Sequence, residues 1–138
     1  AFSPMLARGC VVANLSARVG SISDNRLGGW YSYRMSKVGE RSLSPQNVPS
    51  LTYRMSKAAL NQATRTLALE LKRSGTWCVA LHPGTTDTDL SRPFQKNVRP
   101  EKLFAVDFTV SQLLAIVDSM QESDSGGFFA WDGSPIEW

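Results

Sequence analysis

The chain has 138 residues, 42% apolar and 20% charged, with fifteen Lys and Arg against twelve Asp and Glu for a net charge of +3. That is enough for one globular domain with a real core. Apolar runs such as Cys10 to Ala13 and Leu113 to Val117 are far too short to cross a bilayer, no charged-then-apolar leader stands at the start, and the basic residues are interspersed with acids; neither a membrane, a secreted nor a nucleic-acid-binding protein is expected.

Met5, Leu6 and Ala7 lead to Arg8 and then Gly9, which reads as the end of a helix, so the start looks like a cut through a larger domain. Cys10 to Leu15 is an apolar run without polar alternation, as expected of a short strand buried on both faces of a parallel sheet. Ser16 and Ser21 follow at or just beyond its carboxyl end. Cys10 and Cys78 each sit inside an apolar strand-like run rather than a C-x-x-C pair, and are expected to be buried free thiols in a reducing compartment, cytoplasm or organelle interior. With His82 as the one histidine, no metal site is expected.

Residues 22–32 are loop by composition. Tyr33-Arg34-Met35-Ser36-Lys37 then appears, and the same five residues return twenty positions later at Tyr53 to Lys57. The flanks share nothing else, and the intervening stretch holds Pro45 and Pro49 with no helical or strand period. It reads as loop, and residues 38–57 read as an insertion, a retained intron or an alternative exon, because their deletion joins the first copy directly to Ala58-Ala59-Leu60-Asn61.

The second copy opens a helix to Leu71, with Ser50 or Thr52 as caps, a stripe of Leu60, Ala63, Leu67 and Leu71, basic Lys72 and Arg73 at the carboxyl end, and Gly75 as the stop. Ala58, Ala59 and Ala63 would permit close packing, so the 53–72 helix is also a candidate contact between copies of the chain. Tyr53 and Lys57, four residues apart, stand on one face of it, where the ammonium favours the ionised form of the phenol. That is proton-transfer equipment. Tyr53 and Lys57 are therefore preferred as the working pair, with Tyr33 and Lys37 as the fallback.

Trp77 to Leu81 is a second buried strand, ending in His82-Pro83-Gly84-Thr85-Thr86-Asp87-Thr88. Strand, helix, strand is a parallel unit, in which ligands bind at the carboxyl ends of the strands. Ser16, Ser21, the Pro83 to Thr86 turn and the helix start at Tyr53 all fall on that edge. Further on, Thr109-Val110-Ser111-Gln112 has the pattern of a capping box opening a helix striped by Val110, Leu113, Leu114, Val117 and Met120. Phe128 to Trp131 is a last short strand stopped by Asp132-Gly133.

Four stretches together carry a family resemblance: Asn14-Leu15-Ser16-Ala17-Arg18-Val19-Gly20-Ser21, Tyr-Arg-Met-Ser-Lys-Ala-Ala-Leu-Asn, the His82 to Thr88 turn, and Gly126-Gly127-Phe128-Phe129 with Asp132-Gly133 and Pro135. The chain resembles the short-chain dehydrogenase/reductase family, in its C-factor-like branch, over nearly its whole length apart from the 38–57 block. The resemblance implies an α/β fold, the C-terminal half of a Rossmann-type doubly wound parallel sheet, so that residues 1–138 are a partial NAD(P)-binding domain. It implies NAD or NADP as cofactor and a small-molecule carbonyl or alcohol as substrate.

Carried onto this chain, the tyrosine is the general acid-base and the lysine holds the nicotinamide ribose. A serine binds the substrate oxygen, and Pro83, Gly84, Thr86 and Thr88 meet the nicotinamide amide and phosphates. Residues from Asp89 to Leu103 would be the substrate loop. Three departures stand out. The family's usual serine position is Ala17, so that role falls to Ser16 or Ser21, with Ser21 slightly preferred; no G-x-G-x-x-G turn occurs; and the family's upstream catalytic asparagine would lie before Ala1. The alternative function is therefore a truncated, non-catalytic remnant that at most binds a partner subunit. A serine hydrolase built from Ser16 or Ser36 with His82 and Asp87 is a weaker reading, since no G-x-S-x-G elbow is present.

Overall fold

The computed structural model of the chain describes residues 6–25 and 50–138. The first motif copy, Tyr33 to Lys37, and residues 38–49 of the expected insertion lie outside the described residues. The described chain runs β1 (Val11–Leu15), α1 (Ser50–Glu70), β2 (Trp77–His82), β3 (Thr85–Thr86), β4 (Leu103–Phe104), α2 (Val106–Ser119) and β5 (Phe128–Ala130), with one-turn to two-turn 3-10 helices between several of them.

The main sheet has the order β1-β2-β5 and is parallel throughout, with Val11 opposite Trp77, Leu15 opposite Leu81, and Ala80 opposite Phe128. A second small parallel pair joins β3 to β4 through Thr85 opposite Leu103. The central position of β2 explains its composition. Cys78, Val79, Ala80 and Leu81 are all buried, as a strand flanked on both edges and covered on both faces requires.

The edge strand β1 departs from the expected double burial. Ala13 and Leu15 are exposed, Leu15 at 56%, while Asn14 between them is half-buried. Period-two alternation puts Ala13 and Leu15 on one face, and nothing among the described residues covers it. Cys10, expected to be buried, is likewise only half-buried, whereas Cys78 is fully enclosed and its thiol is pushed up by that burial.

Helix α1 packs through a more polar face than its leucines suggest. Asn61, Thr64 and Ala68 are the buried residues, with Leu60, Leu67 and Leu71 half-buried beside them, and Ala63 faces outward. The reason lies on β1. Asn14 Nδ2 donates to Thr64 Oγ1 at 2.9 Å and Ser16 Oγ donates to Asn61 Oδ1, so Thr64 Oγ1 and Asn61 Oδ1 find partners across the packing seam, whereas the buried Asn61 Nδ2 has none among the described residues. The helix ends as its sequence indicates: a short 3-10 turn, Lys72–Ser74, is closed by Gly75 at φ 71°, whose N–H donates to the Lys72 carbonyl.

Helix α2 starts earlier than the expected capping box. Its N-cap is Ala105, with no side-chain cap, and Asp107 complements the dipole in the first turn. Thr109 lies inside the helix and is buried, its hydroxyl 3.0 Å from that of Thr86. A tertiary hydrogen bond has taken the side chain that a cap would have used. Of the expected stripe, Leu113, Val117 and Met120 are half-buried, but Val110 and Leu114 are exposed.

The core gathers Ala80, Phe128, Ala130 and Ile136, with Trp131 and Trp138 packed against it. The carboxyl tail folds back to complete it. Phe128 stacks on Trp138 at 5.4 Å between ring centroids, Pro135 bridges antiparallel to Phe129, and Ser23 donates its N–H and its hydroxyl to the Trp138 main-chain oxygen at 3.0 and 2.7 Å. No helix among the described residues is long and apolar enough to cross a membrane.

Candidate functional site

A cleft of about 520 Å³ opens at the carboxyl ends of β1 and β2. Its walls are Ser16, Ala17 and Val19 after β1, Tyr53 and Arg54 near the start of α1, the chain from His82 to Thr86 with Thr88, and Leu90, Ser91, Asn97 and Val98 from the segment beyond. This is where a parallel sheet leaves room, because each strand ends there and the chain turns away.

Ser16 is the first residue beyond β1. Its N–H still donates to the Leu81 carbonyl at 2.8 Å, so the ladder to β2 holds it in place, and its hydroxyl donates to Asn61 Oδ1 from one side of the cleft. The chain then makes a one-turn 3-10 helix, Arg18–Gly20. A Cβ on Gly20 would stand 2.7 Å from Lys57 Cβ, so only glycine lets α1 come this close to the turn.

Ser21, preferred on sequence as the substrate-binding serine, is carried by that turn away from the cleft. It is buried, its hydroxyl donates to the Glu137 carbonyl at 2.6 Å and accepts from the Asp24 N–H at 3.0 Å. Ser16, rather than Ser21, shares the cleft with Tyr53.

Tyr53 and Lys57 occupy successive turns of α1. The Lys57 ammonium donates to the Leu15 carbonyl at 2.7 Å and lies 5.5 Å from the centre of the Tyr53 ring. The electrostatic expectation is reversed here. Burial pushes the Tyr53 phenol above its ordinary value, because withdrawing it from water disfavours the phenolate.

Pro83, Gly84, Thr86 and Thr88 all line the cleft. Gly84 sits at φ 73°, and a Cβ there would meet the Phe104 ring at 2.7 Å, so both backbone and packing demand glycine. Phe104 in turn packs on Trp131 and Phe108, with centroids at 4.4 and 5.3 Å. Beyond the turn, the Ser91 hydroxyl donates to the Thr86 carbonyl at 2.6 Å and accepts from the Thr88 N–H at 3.1 Å and from Gln95 Nε2 at 2.9 Å. Sequence reasoning did not single out Ser91, Arg54 or Asn61. Asn61 was within reach, since it lies one turn beyond Lys57 on the face that carries Tyr53.

His82 is held neutral, its pKa lowered to about 4 chiefly by burial, next by the Arg18 charge, with Asp24 acting in the opposite sense. Its Nδ1 is buried and carries no hydrogen bond among the described residues. Among the described residues the hydrolase arrangement is not assembled: Ser16 is turned to Asn61, and the exposed Asp87 accepts from Gln95 at 2.7 Å, while Ser36 lies outside the described residues. Among the described residues no group of His, Cys, Asp and Glu could hold a metal ion.

Comparison with known proteins gives consistent relatives. Residues 33–113 match the family described as Enoyl-(Acyl carrier protein) reductase. The C-signal protein of Myxococcus xanthus is 31% identical over 140 residues, an alignment covering 100% of this chain and 68% of that protein. The 1-hydroxy-2-glutathionyl-2-methyl-3-butene dehydrogenase of Rhodococcus sp. (strain AD45) is 30% identical over 141 residues, covering 100% of this chain and 51% of the dehydrogenase. This chain thus spans about half to two thirds of the length of these two curated relatives.

Among solved structures, the NADPH-bound carbonyl reductase from chicken fatty liver superposes with a TM-score of 0.69 at 33% identity, covering 93% of this chain and 42% of the reductase. Carbonyl reductase Sniffer of D. melanogaster gives a TM-score of 0.69 at 27% identity, covering 98% of this chain and 45% of Sniffer.

Proposed function

Because this chain belongs to the short-chain dehydrogenase/reductase family, we propose that its cleft serves hydride transfer between NAD(P) and a carbonyl or alcohol substrate, with Tyr53 as the general acid-base. Its α/β parallel sheet is the corresponding part of a Rossmann-type fold. One observation carries the proposal: Tyr53 and Ser16 line the same cleft, with Lys57 one turn from the phenol.

The donor set fits the nicotinamide half of the cofactor. The Lys57 ammonium suits ribose hydroxyls, and the Thr86 main chain, the Thr88 hydroxyl and the Pro83-Gly84 turn suit the amide and phosphates. When bound, the nicotinamide supplies or takes up the hydride at the substrate carbon. In reduction, the Tyr53 phenol gives its proton to the carbonyl oxygen and the resulting phenolate recovers one from solvent; in oxidation the phenolate, having first lost its proton to solvent, takes the alcohol proton. Ser16, having committed its hydroxyl proton to Asn61, offers lone pairs to a substrate hydroxyl or to the phenol. Burial holds the phenol in its protonated form, the form that donates in reduction.

The decisive experiment follows NADPH consumption by the full chain with an aromatic aldehyde, alongside its thermal melt. Saturating NADPH or NADH, at about a hundredfold its dissociation constant, adds roughly 2.7 kcal/mol of stability to a chain that binds it. Tyr53→Phe is expected to keep the melting shift and lose turnover by at least about a hundredfold. Undiminished turnover in that variant sinks the assignment. A second reading, a non-catalytic chain that binds a partner subunit, takes over if neither cofactor shifts the melt. The outward face of α1, where Met55, Ala59, Ala63 and Leu69 are exposed, is the surface we assign to a partner copy.

A further inference from the structure

Arg54 follows Tyr53 on α1 and is half-buried in the wall of the same cleft. With His82 neutral, it is the one charged side chain among the described residues that line that cleft. Its Nη1 donates to Asn25 Oδ1 at 3.0 Å, a neutral acceptor, and no carboxylate pairs with it among the described residues. Its Nε–H is buried and has no acceptor among the described residues. The ion pairs there, Arg18 with Asp24 and Arg92 with Asp89, do not include it. A buried guanidinium N–H without an acceptor is costly to maintain, and a guanidinium presents a planar fork of donors that matches a carboxylate.

We propose that Arg54 binds a carboxylate on the substrate, so that the cleft selects oxo acids, or the corresponding hydroxy acids, over neutral carbonyl compounds. The inference rests on the oxidoreductase reading for which group reacts, but the anion site itself stands on Arg54 alone. The apolar part of the cleft wall, with Ala17, Val19, Leu90 and Val98, would hold the carbon skeleton between the two polar ends. The competing source of negative charge is a cofactor phosphate, which the test separates.

The test is a ligand-observed NMR titration of the full chain, without nucleotide, using 4-carboxybenzaldehyde and 4-methylbenzaldehyde as probes. Wild type is expected to bind the carboxylate probe about 10- to 100-fold more tightly, the range of a charge-assisted hydrogen bond. Arg54→Gln should erase that ratio while leaving the neutral probe's affinity unchanged, and Arg54→Lys, a point charge without the fork, should restore part of it. Thermal melts of both variants confirm that they are folded. The inference is overturned if wild type does not discriminate between the probes, if the preference survives Arg54→Gln, or if that variant instead weakens only NADPH binding. NADPH consumption with the same two probes keeps the two claims apart. Turnover without charge preference removes the Arg54 site and leaves the activity; an Arg54-dependent preference without turnover does the reverse.

Discussion

At the scale of single residues, burial sets the protonation states in and around the cleft. His82 titrates at about 4 in the folded chain against an ordinary value near 6.5. Its contribution to stability is full above the unfolded value and is lost as the pH falls from about 6.5 through about 4, because the unfolded chain takes up a proton that the folded one refuses. The loss amounts to about 3 kcal/mol at its limit. A series of urea unfolding midpoints between pH 7 and pH 4 is expected to show that decline, and His82→Gln to flatten it. Tyr53 behaves in the opposite sense. Its raised value means that the folded state holds its proton longer, so stability is full below about pH 10 and falls as the pH rises through the folded value. Reductive turnover, which needs the protonated phenol, is expected to persist to the same alkaline limit, which a pH–rate profile in that range checks.

At the scale of elements, the seam between α1 and β1 is held by two polar pairs, Asn14 with Thr64 and Ser16 with Asn61. Thr64→Val keeps the shape and removes the acceptor, leaving Asn14 Nδ2 unpaired at a cost of about 1–3 kcal/mol. Replacing both partners, Asn14→Leu with Thr64→Val, is expected to cost less than the sum of the single changes, because no buried polar group is then left alone. A double-mutant cycle by chemical denaturation measures the coupling; strict additivity would show that the pair carries none. The seam also explains why the leucine stripe misled about α1. Helical spacing located the packing face within about one residue's rotation, but Asn61 and Thr64 are buried because polar partners on the strand receive them, and a hydrophobicity pattern contains no trace of those partners.

At the scale of the whole molecule, the tail is the closing piece. Ile136 is buried in the core with Ala80, Phe128 and Ala130, and Trp138 lies on Phe128. Ser21 and Ser23, from the segment after β1, bind main-chain oxygens of the last two residues. The tail therefore ties β5 to the cleft-bearing turn, and Ile136→Ala is expected to cost about 2–5 kcal/mol, read as a lowered urea midpoint. A change under 0.5 kcal/mol would mean that the tail packs without contributing to the core.

The elements that depend on local chemistry were legible from the residues alone: the β2 run, the long helix carrying the second motif copy, its glycine stop at Gly75, and the strand before Asp132-Gly133; the helix opens at Ser50, three residues before Tyr53, so the expected caps Ser50 and Thr52 lie within it. Each is specified by neighbours within a few positions. Tyr53, the Pro83 to Thr88 turn and the convergence of strand ends could likewise be named before any fold was in hand, since strand-helix-strand order sends them to one edge. What tertiary structure decided was everything that depends on which surfaces meet. It carried Ser21 under the tail and left Ser16 in the cleft, exposed one face of β1, drew Thr109 from a cap into a bond with Thr86, and shifted the phenol upward where the nearby lysine alone would have shifted it down. Burial and hydrogen-bond partners are properties of neighbours distant in sequence, so a chain read in order fixes which groups are available and not which of them lose their water.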